Sequence, residues 1–170
     1  MRIRPATGAD ATAITAIYNE GIASHRATFE TELRTVEEVA RRIDTALARH
    51  TWLVVENSHD GESGEIIAWA ATMPYANRAC YEGVAEFSIY VSGAHQGRGA
   101  GRLVLTALLA EAESAGIYKV TSRVFRHNEA SRALCAAVGF REVGVHLRHG
   151  RLDGVWRDIV TVEVLLGPAA

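Results

Sequence analysis

A glycine-rich hexapeptide, Gln96-Gly97-Arg98-Gly99-Ala100-Gly101, joins an apolar run (Val84 to Val91) to an amphipathic one (Arg102 to Ala115). A strand that turns through alternate glycines into a helix is the tightest constraint in this chain. Glycine tolerates positive φ and carries no side chain to keep a ligand off the backbone. The free N–H groups of such a loop, with the positive end of a helix dipole behind them, suit a pyrophosphate. Arg98 and Arg102 could add charge-assisted contacts. A Walker loop would end in Gly-Lys-Ser/Thr, and this one does not. A dinucleotide fingerprint would read G-x-G-x-x-G after the first strand, with an acidic residue closing the next. Here the spacing is G-x-G-x-G, about the fourth strand precedes it, and Arg126 closes the next strand. A flexible surface loop is the structural alternative to a phosphate cradle.

The rest of the chain sets the context. Ile3 to Pro5 reads as a short strand, and Thr7 to Asp10 as a helix start with Asp in the usual place of Glu or Gln. Ile14, Ile17, Tyr18 and Ile22 follow at helical spacing, with Gly21 near the end. A capping box, Thr35 to Glu38, opens a second helix with Val39, Ile43 and Leu47 on one side. Thr51 to Glu56 and Ile66 to Met73 form an antiparallel hairpin around the polar turn 57–65. Val84 to Val91 is a strand. The helix Arg102 to Ala115 points Leu103, Val104, Ala107, Leu108 and Ala112 inward and ends at Gly116. Val120 to Phe125 is a strand, Asn128 caps a helix reaching Val138, and two last strands flank a turn at Asp153-Gly154. The order β-α-α-β-β-β-α-β-α-β-β predicts an α/β (α+β) fold, a mixed twisted sheet of about six or seven strands with helices on both faces. The expected organisation is one domain over residues 1–170.

A formal net charge of −2 with scattered arginines argues against nucleic acid as a partner. No apolar stretch approaches the roughly 20 residues that span a bilayer, and Met1 to Pro5 is not followed by a signal-peptide core. Two cysteines, Cys80 and Cys135, suit free thiols in a reducing cytosol. His146 and His149, three apart on a strand, should face opposite ways, and no metal site is expected.

Gln96-x-x-Gly99-x-Gly101 resembles the acetyl-CoA motif Q/R-x-x-G-x-G/A of the GNAT superfamily of N-acetyltransferases. Asn128 to Cys135, ending at Gly139-Phe140, is similar to that superfamily's second signature. Ile3 to Thr7, Phe29-Glu30, Trp52 to Glu56, Arg78-x-x-Tyr81, Glu86-x-Ser88-x-Tyr90-Val91 and His149 to Asp158 resemble the phosphinothricin and arsinothricin N-acetyltransferases. The resemblance implies acetyl-CoA as cosubstrate, a glutamate-like small-molecule amine as acceptor, and a homodimer with active sites near the subunit contact.

On that resemblance Glu86 is the general base, a water relaying the proton. An α-amine has a pKa of about 8 and needs one near neutrality. Alternation puts Glu86, Ser88 and Tyr90 on one face of the strand. The plain alternative is a strand-end glutamate reaching solvent. The backbone of Ile89, Tyr90 and Val91 should pair with the pantetheine arm as an added strand, and an N–H there could polarise the thioester carbonyl. The cradle Gln96, Gly97, Arg98, Gly99, Ala100, Gly101 and Arg102 should hold the pyrophosphate, and Asn128 and Ser131 the cofactor arm. Phe29, Arg78 and Tyr81 are the expected acceptor contacts. Cys135 stands where many members carry Tyr and the phosphinothricin enzymes often carry His. It is either the acid that protonates the departing thiolate or a packed thiol. A peptide or protein acetyltransferase and a non-catalytic acyl-CoA sensor are the competing functions.

Overall fold

A computed structural model describes residues 1–46, 48–57 and 64–169. Seven strands form one sheet in the order β1-β2-β3-β4-β5-β7-β6. They are β1 (Arg2–Pro5), β2 (Trp52–Asn57), β3 (Glu65–Pro74), β4 (Val84–Val91), β5 (Lys119–Phe125), β6 (Arg141–Leu152) and β7 (Val155–Leu165). The helices are α1 (Ala11–Ala23), α2 (Val36–Asp44), α3 (Ala100–Ser114) and α4 (Glu129–Ala137). This is the expected element order; Leu47 and the middle of the 57–65 turn lie outside the described residues.

Strand alternation divides the core into two. Leu53, Val55, Ala68, Ala70 and Phe87 pack against Val104, Leu105 and Leu108 of α3. Val54, Trp69 and Ala71 meet Ile14, Ile17, Tyr18 and Ile22 of α1 and Val39 and Ile43 of α2 on the other face. On α3 the expected inward face needs one correction. Leu103 is 39% exposed and Leu105 fully buried, because the two flank the inward row Ala100, Val104, Leu108 and Ala112 on opposite sides and packing turns the Leu105 flank to the core.

Local chemistry fixes the helix starts. Thr35 Oγ1 accepts the Glu38 amide at 3.2 Å while the Glu38 carboxylate accepts the Thr35 amide at 3.1 Å, a complete capping box. The Thr7 amide donates to Asp10 at 2.8 Å, and Arg4 of β1 forks onto the same carboxylate with two bonds of 2.7 Å. That fork holds Asp10 well below the usual carboxylate range, at about 2. Gly21, an unfavourable residue for a helix, has a packing reason: a Cβ there would lie 2.5 Å from the Tyr90 ring.

Every neighbouring pair is antiparallel except β4 and β5, which are parallel and connected across α3. Their pairing runs only through Val84↔Lys119, Ala85↔Val120 and Glu86↔Thr121. Beyond Glu86 the two strands part, and the Ser122 hydroxyl donates across the opening to the Phe87 carbonyl at 3.0 Å. The sheet therefore has a wedge in its middle.

Candidate active site

Two cavities meet at the wedge. One, of about 390 Å³, is lined by Glu86, Ser88, Arg123, Phe125, Phe29 and Cys135 among others. The second, of about 770 Å³, runs along Val91, Gln96, Gly97, Gly99, Ala100, Gly101 and Arg102. Ala27, Ile89, Tyr90, Asn128 and Ser131 line both.

The larger cavity is bounded by the N-terminus of α3. Gly97 and Gly99 have φ of 73° and 88°, where other residues are strained, and nothing stands within 4 Å of where their side chains would project. Gly101 serves differently: a Cβ there would sit 3.2 Å from Leu134 and 3.4 Å from Val91, so it lets α3 pack closely on α4 and β4. The first amides of α3 have no acceptor within the helix and border this cavity. The outer edge of β4 from Ser88 to Val91 has no strand beside it. A group carrying a pyrophosphate at one end and an extended amide-containing arm at the other fits these donors and this free edge. Asn128 caps α4, accepting the Ser131 amide at 3.1 Å, and turns its NH₂ to the Arg26 carbonyl at 3.4 Å. Gln96, Gly97, Gly99, Ala100, Gly101 and Arg102 all line the cavity as expected of a cradle; Arg98 does not.

In the smaller cavity Glu86 is the residue at the wedge, its side chain 21% exposed and paired with Arg123 at 2.5 Å. The Phe29 ring packs edge-on to Phe125 at 4.7 Å and lies over Gly150, where a Cβ would be 2.8 Å from it. Phe29 belongs to a strap from residue 24 to 30 that also touches the 153–154 turn, through His25 and Asp153 at 2.9 Å. Tyr18 donates to Glu30 at 3.0 Å, and Arg34 donates to the other Glu30 oxygen at 2.9 Å. These partners outweigh burial and hold the Glu30 carboxyl below its ordinary range. Burial raises the Tyr18 and Tyr90 hydroxyls. It also pushes the Cys135 thiol up to about 11.

Arg78 and Tyr81 line neither cavity. Both lie on the exposed turn between β3 and β4, where the Tyr81 ring packs against Tyr75 at 5.4 Å between centroids. His146 and His149 are not on opposite faces: a register shift between His146 and Gly150, with Arg148 at φ 49°, brings their rings to 5.1 Å. Among the described residues no group of three His, Cys, Asp or Glu side chains could hold a metal ion. Residue-by-residue reasoning missed Tyr18, Arg42 and Arg123 in the smaller cavity. None of the three carried a local signal; Arg123 meets Glu86 through the register of β4 and β5.

The profile of the Acetyltransferase (GNAT) family matches residues 14–140, and this chain belongs to that family. A phosphinothricin N-acetyltransferase from Streptomyces viridochromogenes is 31% identical, the match covering 94% of this chain and 84% of that one. An L-methionine sulfoximine/L-methionine sulfone acetyltransferase from Salmonella typhimurium is 30% identical over 98% and 95%. A phosphinothricin acetyltransferase from Sinorhizobium meliloti, solved in complex with acetyl-CoA, superposes with a TM-score of 0.89 at 28% identity, covering 98% of this chain and 88% of that one.

Proposed function

We propose that this acetyltransferase transfers the acetyl group of acetyl-CoA to the α-amine of a small, polar-headed amino acid, of which phosphinothricin, arsinothricin and methionine sulfoximine are examples. The observation that carries the reading is the meeting of two cavities at the parted strands, with a carboxylate, Glu86, on the acceptor side. The names of the relatives supply the acceptor class. When bound, acetyl-CoA supplies an activated thioester. The cradle at the start of α3, with Gln96 and Arg102 beside it, holds the pyrophosphate. The free edge from Ile89 to Val91 takes the arm, with one N–H toward the thioester carbonyl, and Asn128 and Ser131 steady it.

Glu86 removes the proton from the acceptor's ammonium, directly or across one water, and frees its lone pair for the acyl carbon. Cys135 is assigned to the cavity wall. A thiol at about 11 is a weaker acid than an ordinary departing thiol at about 8.5, so proton transfer from it would run uphill.

The reading includes a homodimer, supported by the family resemblance and by exposed apolar side chains on the outer hairpin: Val143, Val145, Leu147, Val155 and Trp156. Sedimentation at micromolar concentration distinguishes a dimer from a monomer. No helix among the described residues is long and apolar enough to cross a membrane. Free thiols at Cys80 and Cys135 support a reducing compartment.

The direct test is release of free CoA with phosphinothricin at pH 8, comparing the native protein with Glu86→Gln. The expected result is saturable release that the substitution cuts by roughly 10² or more, the range for a lost general base. Near-normal turnover of Glu86→Gln at neutral pH would remove Glu86 from the mechanism. CoA binding without release would favour a sensor.

A further inference from the structure

We propose that Arg123 is the residue that selects the acceptor: its guanidinium, paired with Glu86 in the free protein, yields that carboxylate to the incoming amine and takes the acceptor's own α-carboxylate in exchange. The inference rests on the amino-acid reading above and assigns that reading a recognition residue.

The placement follows from strand register. Glu86 stands opposite Thr121, the last paired position between β4 and β5. Arg123 is two residues further along β5, so it projects from the same face as Thr121 and lies where the strands have parted. Its Nη2 reaches Glu86 Oε1 at 2.5 Å, and both side chains line the smaller cavity. The pair is asymmetric: the arginine side chain is 56% exposed and the glutamate 21%. The carboxylate is held in the wedge, while the guanidinium sits on its water side, and an exposed ion pair of this kind is weak and readily exchanged.

The guanidinium covers one oxygen of the carboxylate, Oε1, on its water side, which is the side an acceptor's ammonium would approach, so the acceptor competes with the arginine for that oxygen. In an α-amino acid the ammonium and the carboxylate share one carbon. An acceptor that puts its amine on Glu86 therefore carries an anion to within reach of the cation it has displaced. The planar fork of arginine fits that anion with two parallel bonds.

Two other arginines at or beside the smaller cavity have partners of their own. Arg34 bonds Glu30, and Arg42 lies over the Trp52 ring at 5.6 Å. Among the described residues Glu86 is the one acidic partner within ion-pair distance of Arg123.

The test compares kcat/KM for an accepted amino acid and for its primary amide, in the full-length native enzyme, Arg123→Gln and Arg123→Lys. Taking the acid-to-amide ratio between variants cancels the differing basicity of the two amines. The native enzyme should favour the free acid. In Arg123→Gln the ratio should fall 10- to 100-fold, chiefly through the KM of the acid, as for a lost charge-assisted bond. Arg123→Lys, which keeps the charge without the fork, should fall between the two and decides the matter if Arg123→Gln does not fold. An unchanged ratio in folded variants overturns the proposal while leaving the amino-acid reading intact. No CoA release by the native enzyme with either acceptor overturns both.

Discussion

Cys135 is 2% exposed and still forms part of the acceptor cavity's wall. Replacing it with Ala should lower kcat less than tenfold, while thermal stability falls by about 1 kcal/mol through lost packing. Steady-state kinetics beside a melting curve check both parts, and a large kcat loss in a folded protein would restore the thiol as an acid. Glu86 and Asn128 stood out in the sequence through the family resemblance together with a local setting. One is a carboxylate in an apolar strand and the other a helix cap, and the fold preserves both settings. Arg123 reaches Glu86 only through the register of two strands 37 residues apart, which no local pattern encodes. Arg78 and Tyr81 line neither cavity of the single chain. The family resemblance made them expected acceptor contacts, and in the single chain the turn carries them outward, where Tyr81 packs on Tyr75.

The start of α3 combines two requirements that substitution can separate. Gly99 and Gly116 have similar φ values, 88° and 82°, and neither has a neighbour within 4 Å of a would-be Cβ; only Gly99 borders the larger cavity. Ala at either position should cost about 1–2 kcal/mol in backbone strain. Only Gly99→Ala should also weaken CoA binding several-fold, which calorimetry of the two variants resolves. The link between β1 and α1 carries a pH dependence. Asp10 titrates at about 2 in the folded chain against 3.8 unfolded, so its stabilisation is complete above the unfolded value. It is lost as pH falls from near 4 through 2. Asp10→Asn should flatten that part of the acid-unfolding profile. Helix and strand limits were largely readable from apolar period and caps. The α3 face and the bend at His146 to Gly150 were not, because packing decides which flank of a helix is buried and a bulge rotates side chains without altering composition.

Across the whole molecule, the hairpins and the crossover through α3 follow the element order read from the sequence, whereas the insertion of β7 between β5 and β6 is seen only in the structure. The wedge is of the same kind: β4 and β5 each look like complete strands, and only their three-residue pairing reveals that they part. That parting has a kinetic signature. Because Ala27, Ile89, Tyr90, Asn128 and Ser131 border both cavities, donor and acceptor can occupy the protein at the same moment, wall to wall. Initial rates measured against one substrate at several fixed levels of the other should give reciprocal plots that intersect. Parallel lines would instead require the acetyl group to rest on the protein between two half-reactions. The thiol in the wall of the smaller cavity, Cys135, is pushed up to about 11 by burial, which disfavours the thiolate that would carry it. On the proposed function, intersecting lines would mean a meeting of two guests, with no covalent stopover on the host.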